Sequence, residues 1–244
     1  MTYGLELVGG LELVGLGLLA GLITTVAGMG GGMTLLLALA VLRGPQDALA
    51  VTAPALLVGN LHRLWMFRSH LNRSLAGALA VGALPGALIG GYFAVAAPRE
   101  LLHWLMLAMT AAALSRAVGW WRPTVSPAMV LPAAFGTGLV CATSGGAGFL
   151  MSPILLAAGL VGEAFLATSA VTAITMHAGR LIGYGAGGMI EASIWPAAVL
   201  LAVCIAGGNR LGKAVRAWLN GRLDGKLEYA ALCLCLGLAV AGVA

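Results

Sequence analysis

Residues 21–67 read GLITTVAGMGGGMTLLLALAVLRGPQDALAVTAPALLVGNLHRLWMF, and residues 138–184 read GLVCATSGGAGFLMSPILLAAGLVGEAFLATSAVTAITMHAGRLIGY. The two stretches align without a gap at a distance of 117 residues. Matches among small apolar residues carry little weight in this chain, but Arg63 also aligns with Arg180. Because an arginine inside an apolar segment is rare and costly, this pair predicts a duplicated membrane protein with a site between its halves.

The composition places the chain in a lipid bilayer. Of its 244 residues, 61% are hydrophobic and only 9% are charged, and the mean hydropathy is +1.01. That leaves too little polar surface to cover a soluble globule. The 37 glycines indicate membrane helices that pack closely through small residues.

Apolar segments follow one another along the whole chain, five in each half. We therefore predict an all-α integral membrane protein, multi-pass in the cytoplasmic (inner) membrane, built as one transmembrane domain from two inverted repeats. The first repeat covers about 5–118, the linker 119–127 and the second repeat about 128–244. The segments lie at about 5–27, 31–42, 47–67, 75–97, 101–118, 129–143, 147–160, 164–184, 192–208 and 227–243.

The second segment of each half is too short for a straight crossing, which needs roughly twenty residues. Each follows a glycine cluster, GMGGGM at 28–33 and SGGAGF at 144–149. Glycines loosen a helix and free backbone N–H groups, and paired interruptions of this kind are typical of a transporter's substrate site. These segments are therefore predicted to be short or re-entrant, although the glycines could instead serve close helix crossing.

Basic residues in the loops predict the orientation of the halves. The segment 68–73 (RSHLNR) is basic, whereas its repeat equivalent, 185–193, has no positive charge and carries Glu191. The two loops should face opposite sides, with 68–73 and a basic loop containing Arg210, Lys213 and Arg216 on the cytoplasmic side. If each glycine-broken pair formed one continuous crossing, the repeats would be parallel instead.

Polar side chains line one face of segment 164–184 and, more sparsely, of segment 47–67. A guanidinium suits an oxyanion, and N–H groups at a half-helix N-terminus add partial positive charge. Arg63 and Arg180 could alternatively extend to the lipid headgroups. The candidate substrate-binding residues are Gly28, Gly30, Gly31, Gly32, Asn60, Arg63, Ser144, Gly145, Gly146, Gly148, Thr168, Thr172, Thr175, His177 and Arg180.

Other ligands find little support in the sequence. The cysteines lack metal-site spacing and are interpreted as small core residues, so we expect no metal and no cofactor. Glu12 is the only acidic residue expected to be buried, which disfavours a carboxylate cage for sodium. Proton coupling through His62, His177 or Glu12 stays open.

The net charge of +5 comes from basic residues in short loops, so we expect no nucleic-acid partner. The expected partners are a small anion and the bilayer, with a homo-oligomer left open.

The duplicated glycine breaks, each followed by an apolar run and a helix ending in an arginine, resemble the sulfite exporter TauE/SafE family of membrane permeases. The resemblance covers the chain from about Leu13 onward. It implies secondary transport of small sulfur-containing anions, such as sulfite or organosulfonates, with the break glycines at the site. The second cluster, SGGAGF, departs from three consecutive glycines, which leaves open whether both breaks bind substrate equally.

We therefore expect a permease that works by alternating access and is not an enzyme. The alternatives are an anion channel, an intramembrane enzyme and a scaffold. An enzyme would need clustered metal ligands or a nucleophile with its base. The residues that could supply such groups are Cys141, His177 and Glu12, and they have no recognisable spacing.

Overall fold

The computed structural model describes residues 7–117, 120 and 126–219, and within these residues the regular structure is entirely helical. Single 3-10 turns lie at Arg68–His70, Pro127–Met129 and Ala192–Ile194. The helices are α1 (Leu7–Val26), α2 (Gly31–Arg43), α3 (Pro45–Phe67), α4 (Arg73–Ala96), α5 (Arg99–Ala117), α6 (Val130–Ser144), α7 (Ala147–Ala157), α8 (Gly162–Ala186) and α9 (Trp195–Leu219).

The predicted helical segments are confirmed from α1 to α8, with both ends of each helix within three residues of the prediction. Apolar runs bounded by glycine, proline or charged residues define these helices well, because a helix that faces lipid or protein on all sides is apolar throughout. The tenth predicted segment, 227–243, and most of the linker 119–127 lie outside the described residues.

The prediction for α9 was wrong at its C-terminal end. The helix does not stop near residue 208 but continues to Leu219, so Arg210, Lys213 and Arg216 are helical and not in a loop. Arginine, lysine, alanine and leucine all favour helix. The extension also has tertiary contacts: the Lys213 Nζ atom lies 5.4 Å from the centre of the Phe67 ring, and Arg216 Nη1 donates to the Val26 carbonyl at 3.0 Å.

The outer surface suits a lipid environment. Four helical stretches, Gly9–Val26, Arg73–Ala96, Gly162–Ala186 and Ala192–Leu219, are long and apolar enough to cross a membrane. Large aromatic side chains are exposed close to helix ends, where they would meet the headgroup region of a bilayer. They are Trp65, Tyr92, Trp104, Trp195 and Trp218. Glu12 is exposed on α1 and not buried as expected.

The two halves pack mainly against each other and less against themselves. Helix α4 lies against α6 and α8 of the second half, while α9 lies against α1 and α3 of the first half. Helices α3 and α8 also contact each other in the middle. These pairs correspond, since α1, α3 and α4 occupy the same places in the first half as α6, α8 and α9 in the second.

Glycines make the corresponding pairs approach to backbone distance. Gly86 on α4 lies against the Phe135 carbonyl, and Gly208 on α9 lies against the Leu18 carbonyl. Phe135 follows Leu18 by 117 residues, whereas Gly208 follows Gly86 by 122. The repeat therefore extends beyond Tyr184 into α9, with five additional residues in the second half before that helix.

Close packing at Gly86 gives a test of this interface. A Cβ atom there would lie 3.0 Å from the Leu139 backbone nitrogen and still nearer the Phe135 carbonyl, whereas a Cβ at Gly77 on the same helix meets nothing within 4 Å. We expect Gly86→Ala to lower the free energy of unfolding by roughly 1–3 kcal/mol through overpacking. Gly77→Ala should raise it by up to about 1 kcal/mol through helix propensity. Thermal unfolding in detergent, measured side by side, checks the difference in sign, and equal melting temperatures would contradict the α4–α6 contact.

Candidate functional site

A cavity of about 60 Å³ lies between the two halves. On the same measure one water needs roughly 10–15 Å³, so the cavity has room for a few waters or for an anion of a few heavy atoms. Its walls come from α2, α3, α7 and α8, from the ends of α1 and α6, and from the connections that follow α1 and α6. Both halves therefore contribute equivalent elements to one cavity.

Both glycine clusters form interruptions between two helices at this cavity. Helix α1 ends at Val26 and α2 begins at Gly31, while α6 ends at Ser144 and α7 begins at Ala147. Between them, Gly28 and Gly30 have φ of 81° and 94°, and Gly145 and Gly146 have φ of 76° and 80°. Residues other than glycine rarely adopt such φ angles. Glycine is therefore required at these turns by the backbone itself, beyond any role in close helix crossing.

The interruptions leave backbone groups of four helix ends near the cavity. The first-turn N–H groups of α2 and α7 have no intrahelical acceptor, and their residues before the helix, Gly30 and Gly146, have no side-chain oxygen to cap them. The last carbonyls of α1 and α6, which lack a backbone donor within their helix, accept hydrogen bonds from side chains instead. Arg63 Nη1 donates to the Thr24 carbonyl at 3.4 Å, and the Tyr184 hydroxyl donates to the Ala142 carbonyl.

The two arginines lie inside the protein and not at the lipid surface. Arg63 is 3% exposed and Arg180 is 1% exposed, so the alternative that they extend to the headgroups is wrong. Their hydrogen bonds are long: Arg63 Nη2 lies 3.5 Å from Ser169 Oγ, and Arg180 Nη2 lies 3.3 Å from Thr52 Oγ1. The Nε atom of each arginine is buried without a hydrogen-bond partner. Each guanidinium therefore retains an N–H donor that lies inside the protein without a partner.

Neither guanidinium has a carboxylate beside it in the part of the chain that the structure describes. Each acidic residue there is exposed or half-buried, namely Glu12, Asp47, Glu100, Glu163 and Glu191. The ion pair that forms, between His70 Nδ1 and Glu163 Oε2 at 3.0 Å, lies at the surface. Burying an uncompensated charge costs several kcal/mol or more. The cavity thus carries two buried arginines with no carboxylate beside them among the described residues.

The contacts of the two arginines correspond across the repeat. Ser169, which binds Arg63, follows Thr52, which binds Arg180, by the same 117 residues that separate the arginines. Each arginine therefore donates to a hydroxyl of the other half. Because Arg63 is level with Ser169 and Thr52 is level with Arg180, α3 and α8 run antiparallel.

A comparison with family models decides what kind of protein this arrangement belongs to. A model described as Sulfite exporter TauE/SafE matches residues 13–241, nearly the whole chain. The chain belongs to the sulfite exporter TauE/SafE family. This is a family of membrane transporters and not of enzymes, so the TauE/SafE resemblance noted in the sequence is confirmed. Comparisons with curated proteins and with solved structures found no match.

Most of the candidate residues line the cavity of this TauE/SafE family member. Asn60 Nδ2 donates to the Leu56 carbonyl at 2.7 Å, and its repeat equivalent, His177, is 6% exposed with Nδ1 unbonded. The Thr172 hydroxyl bonds back to the Thr168 carbonyl at 3.2 Å. The predicted residues that line the cavity are Gly28, Gly30, Gly32, Asn60, Arg63, Gly145, Gly146, Thr172, His177 and Arg180.

Four further candidates, Gly31, Ser144, Thr168 and Thr175, lie outside the cavity lining. A Cβ at Gly31 would press on the Ala20 carbonyl of α1, and the Ser144 and Thr175 hydroxyls bond back to carbonyls of their own helices. Gly148 is in the first turn of α7. Thr168 is fully buried and accepts a hydrogen bond from the Asn72 backbone N–H at 3.3 Å. Thr168 therefore holds the connection before α4 against α8, a tertiary role that helical spacing could not reveal.

The cavity also contains residues that the sequence analysis did not single out. Ser169 is on α8, next in sequence to the candidate Thr168, and Cys141 was interpreted as a core residue, which its burial fits. The others are mostly apolar, and apolar residues in an apolar segment carry no signal of a site. The additional lining residues are Thr24, Met29, Met33, Leu36, Leu56, Cys141, Met151, Ser169 and Ala173.

Within the described part of the chain no group of three or more histidine, cysteine, aspartate or glutamate side chains could hold a metal ion. The polar groups that line the cavity of this family member include two guanidinium groups and several hydrogen-bond donors. Such groups suit an anion.

Proposed function

We propose that the protein is a secondary transporter that moves small sulfur-containing anions, such as sulfite or short organosulfonates, across the cytoplasmic (inner) membrane by alternating access. The observation that carries the proposal is the pair of buried guanidinium groups, Arg63 and Arg180, with no buried carboxylate among the described residues. An oxyanion in the cavity would neutralise this charge and accept the donors that the protein leaves unused.

The substrate class follows from the size and chemistry of the cavity. A volume of about 60 Å³ suits a small anion, and membership of a sulfite exporter family directs attention to sulfite and its organic relatives. The apolar part of the wall, with Met29, Met33, Leu36, Leu56 and Met151, offers a surface for a short alkyl substituent. The oxygens of the anion would then face the arginines.

An inverted repeat supplies the transport step in this proposal. The antiparallel course of α3 and α8 is the direction expected of equivalent helices in two halves of opposite orientation. A contact at one end of the bundle supports the antiparallel course. His70 Nδ1 lies 3.0 Å from Glu163 Oε2, which joins the end of α3 to the start of α8.

The short helices complete this proposed architecture as two re-entrant pairs. The 13 residues of α2 and the 11 residues of α7 rise about 1.5 Å each, too little to cross a hydrocarbon core of about 30 Å. In the proposal, α1–α2 and α6–α7 enter the membrane from opposite sides and meet the cavity at their glycine turns. Rocking of one repeat against the other would then open the cavity to each side in turn.

Counterflow in reconstituted vesicles tests the proposed function. Vesicles loaded with unlabelled sulfite should accumulate labelled sulfite, with a rate that saturates, and short organosulfonates should compete better than sulfate or short carboxylates. Flux that rises without saturation would identify an anion channel instead. Vesicles that move none of these four anion classes would overturn the proposal.

A further inference from the structure

The polar groups of the cavity form two clusters, one in each repeat. The first cluster contains Arg63, Ser169 and Asn60, next to the turn at Gly28–Gly30. The second contains Arg180, Thr52 and His177, next to the turn at Gly145–Gly146. Corresponding members are separated by 117 residues in the sequence. Each cluster thus offers the same set of groups: a buried guanidinium with a free Nε, a hydroxyl from the opposite repeat, a second polar side chain and a glycine turn.

The two clusters lie at different levels along α3 and α8. On α8, Ser169 marks the position of the first cluster and Arg180 marks that of the second. Eleven residues separate them in the sequence, which corresponds to about 16 Å along a helix axis. The same interval separates Thr52 from Arg63 on α3. Each guanidinium thus has its own hydroxyl partner, so a small oxyanion can accept hydrogen bonds from one cluster at a time.

Each cluster also carries its own unsatisfied donors. The Nε atoms of Arg63 and Arg180 are both buried without a hydrogen-bond partner. The exposed fraction is 3% for Arg63 and 1% for Arg180. The protein supplies each guanidinium with a neutral hydroxyl at 3.3–3.5 Å, longer than the usual range of about 2.7–3.2 Å for such bonds. An anion that replaced or supplemented that hydroxyl would complete the coordination of one arginine without involving the other.

We propose that the cavity contains two anion subsites, one at Arg63 and one at Arg180, and that a transported anion passes from one to the other. This inference rests on the proposed function, since it assigns two binding steps to the same cavity. Transfer between two like subsites keeps the anion beside a positive charge along its path. The subsites differ at one equivalent position, which is Asn60 in the first and His177 in the second. They are therefore related but chemically distinct.

Equilibrium binding of labelled sulfite to the purified full-length protein, with methanesulfonate as a second probe, tests the two subsites. Methionine replaces arginine in the test variants, because an apolar side chain of similar length keeps the buried volume filled. Arg63→Met and Arg180→Met should each retain one bound anion per chain, with a Kd within about threefold of the wild-type value, whereas the double variant should bind none. Wild-type protein should also bind one, because the cavity has room for one small anion at a time.

Second substitutions identify which subsite remains. In the Arg180→Met background, Asn60→Ala should weaken binding by roughly tenfold, the equivalent of about 1.4 kcal/mol, and His177→Ala should leave it unchanged. In the Arg63→Met background the two effects should be reversed. Exposed Arg210 supplies the matched control, since Arg210→Met should bind like wild type.

The outcomes separate the possibilities. One bound anion in wild type, lost completely in either single arginine variant with an unchanged melting temperature, would overturn the two subsites and leave a single site shared by both arginines. A wild-type protein that binds neither probe would overturn the proposed function itself, and the subsites with it.

Discussion

Transport by the Arg180→Ala variant is expected to fall by roughly 30- to 150-fold while the protein still folds and inserts. Arg180 is 1% exposed and bonds to Thr52 across the two halves. Losing a hydrogen bond to a charged group costs about 2–3 kcal/mol, and each 1.4 kcal/mol is a factor of about ten. Arg63→Ala should have a similar effect, because Arg63 has the corresponding place in the first repeat. Initial rates of sulfite uptake into vesicles measure both.

Two controls make this result specific. Arg180→Lys keeps the charge but loses the planar fork of donors, so it should restore little of the transport. Arg210→Ala removes an exposed arginine of α9 and should leave the uptake rate at the wild-type level. If the Arg63→Ala and Arg180→Ala variants both transported at that level too, the arginines would have a structural role only.

A leucine at Gly145 is expected to abolish transport. Gly145 has φ 76° and ψ −159°, a region open essentially to glycine alone, where other residues incur about 1–3 kcal/mol. A Cβ there would also run into the Leu36 side chain, on the opposite wall of the cavity. The leucine would therefore strain the turn before α7 and fill the space in which the anion binds. Uptake should fall below detection, and labelled-sulfite binding should weaken, because the leucine leaves only the subsite at Arg63.

Gly136 on α6 provides the matched control for this change. Its position is exposed, and a Cβ there meets nothing within 4 Å. Gly136→Leu should leave transport unchanged and raise the melting temperature slightly, because leucine favours helix over glycine. Wild-type affinity in Gly145→Leu would mean that the glycine turn serves packing and not the binding of the anion.

Helix positions could be predicted from the sequence because membrane helices are defined by long apolar runs with clear ends. The prediction was wrong where that signal weakens. Basic residues 210–216 suggested a loop, yet α9 continues through them because Lys213 packs on Phe67 and Arg216 binds the end of α1. Charge alone does not terminate a helix, and the tertiary partners of these side chains are remote in the sequence.

The candidate site could be predicted only where residue type was unusual for its surroundings. Arg63, Arg180, His177 and the glycines stand out in apolar helices, and most of them line one cavity. Thr168 stood out equally but binds the Asn72 backbone. The methionines and leucines of the wall did not stand out at all. Which polar groups face the same space depends on the rotation of α3 and α8 relative to each other, and no local pattern specifies that rotation.

The crossed packing of α4 on α6 and of α9 on α1 has a consequence for the independence of the two halves. Either half alone would leave the glycine faces of its first and fourth helices bare, so it would need a second copy to cover them. Within one chain that encounter is intramolecular and does not depend on protein concentration. A single chain also allows the halves to differ, as Asn60 and its counterpart His177 do.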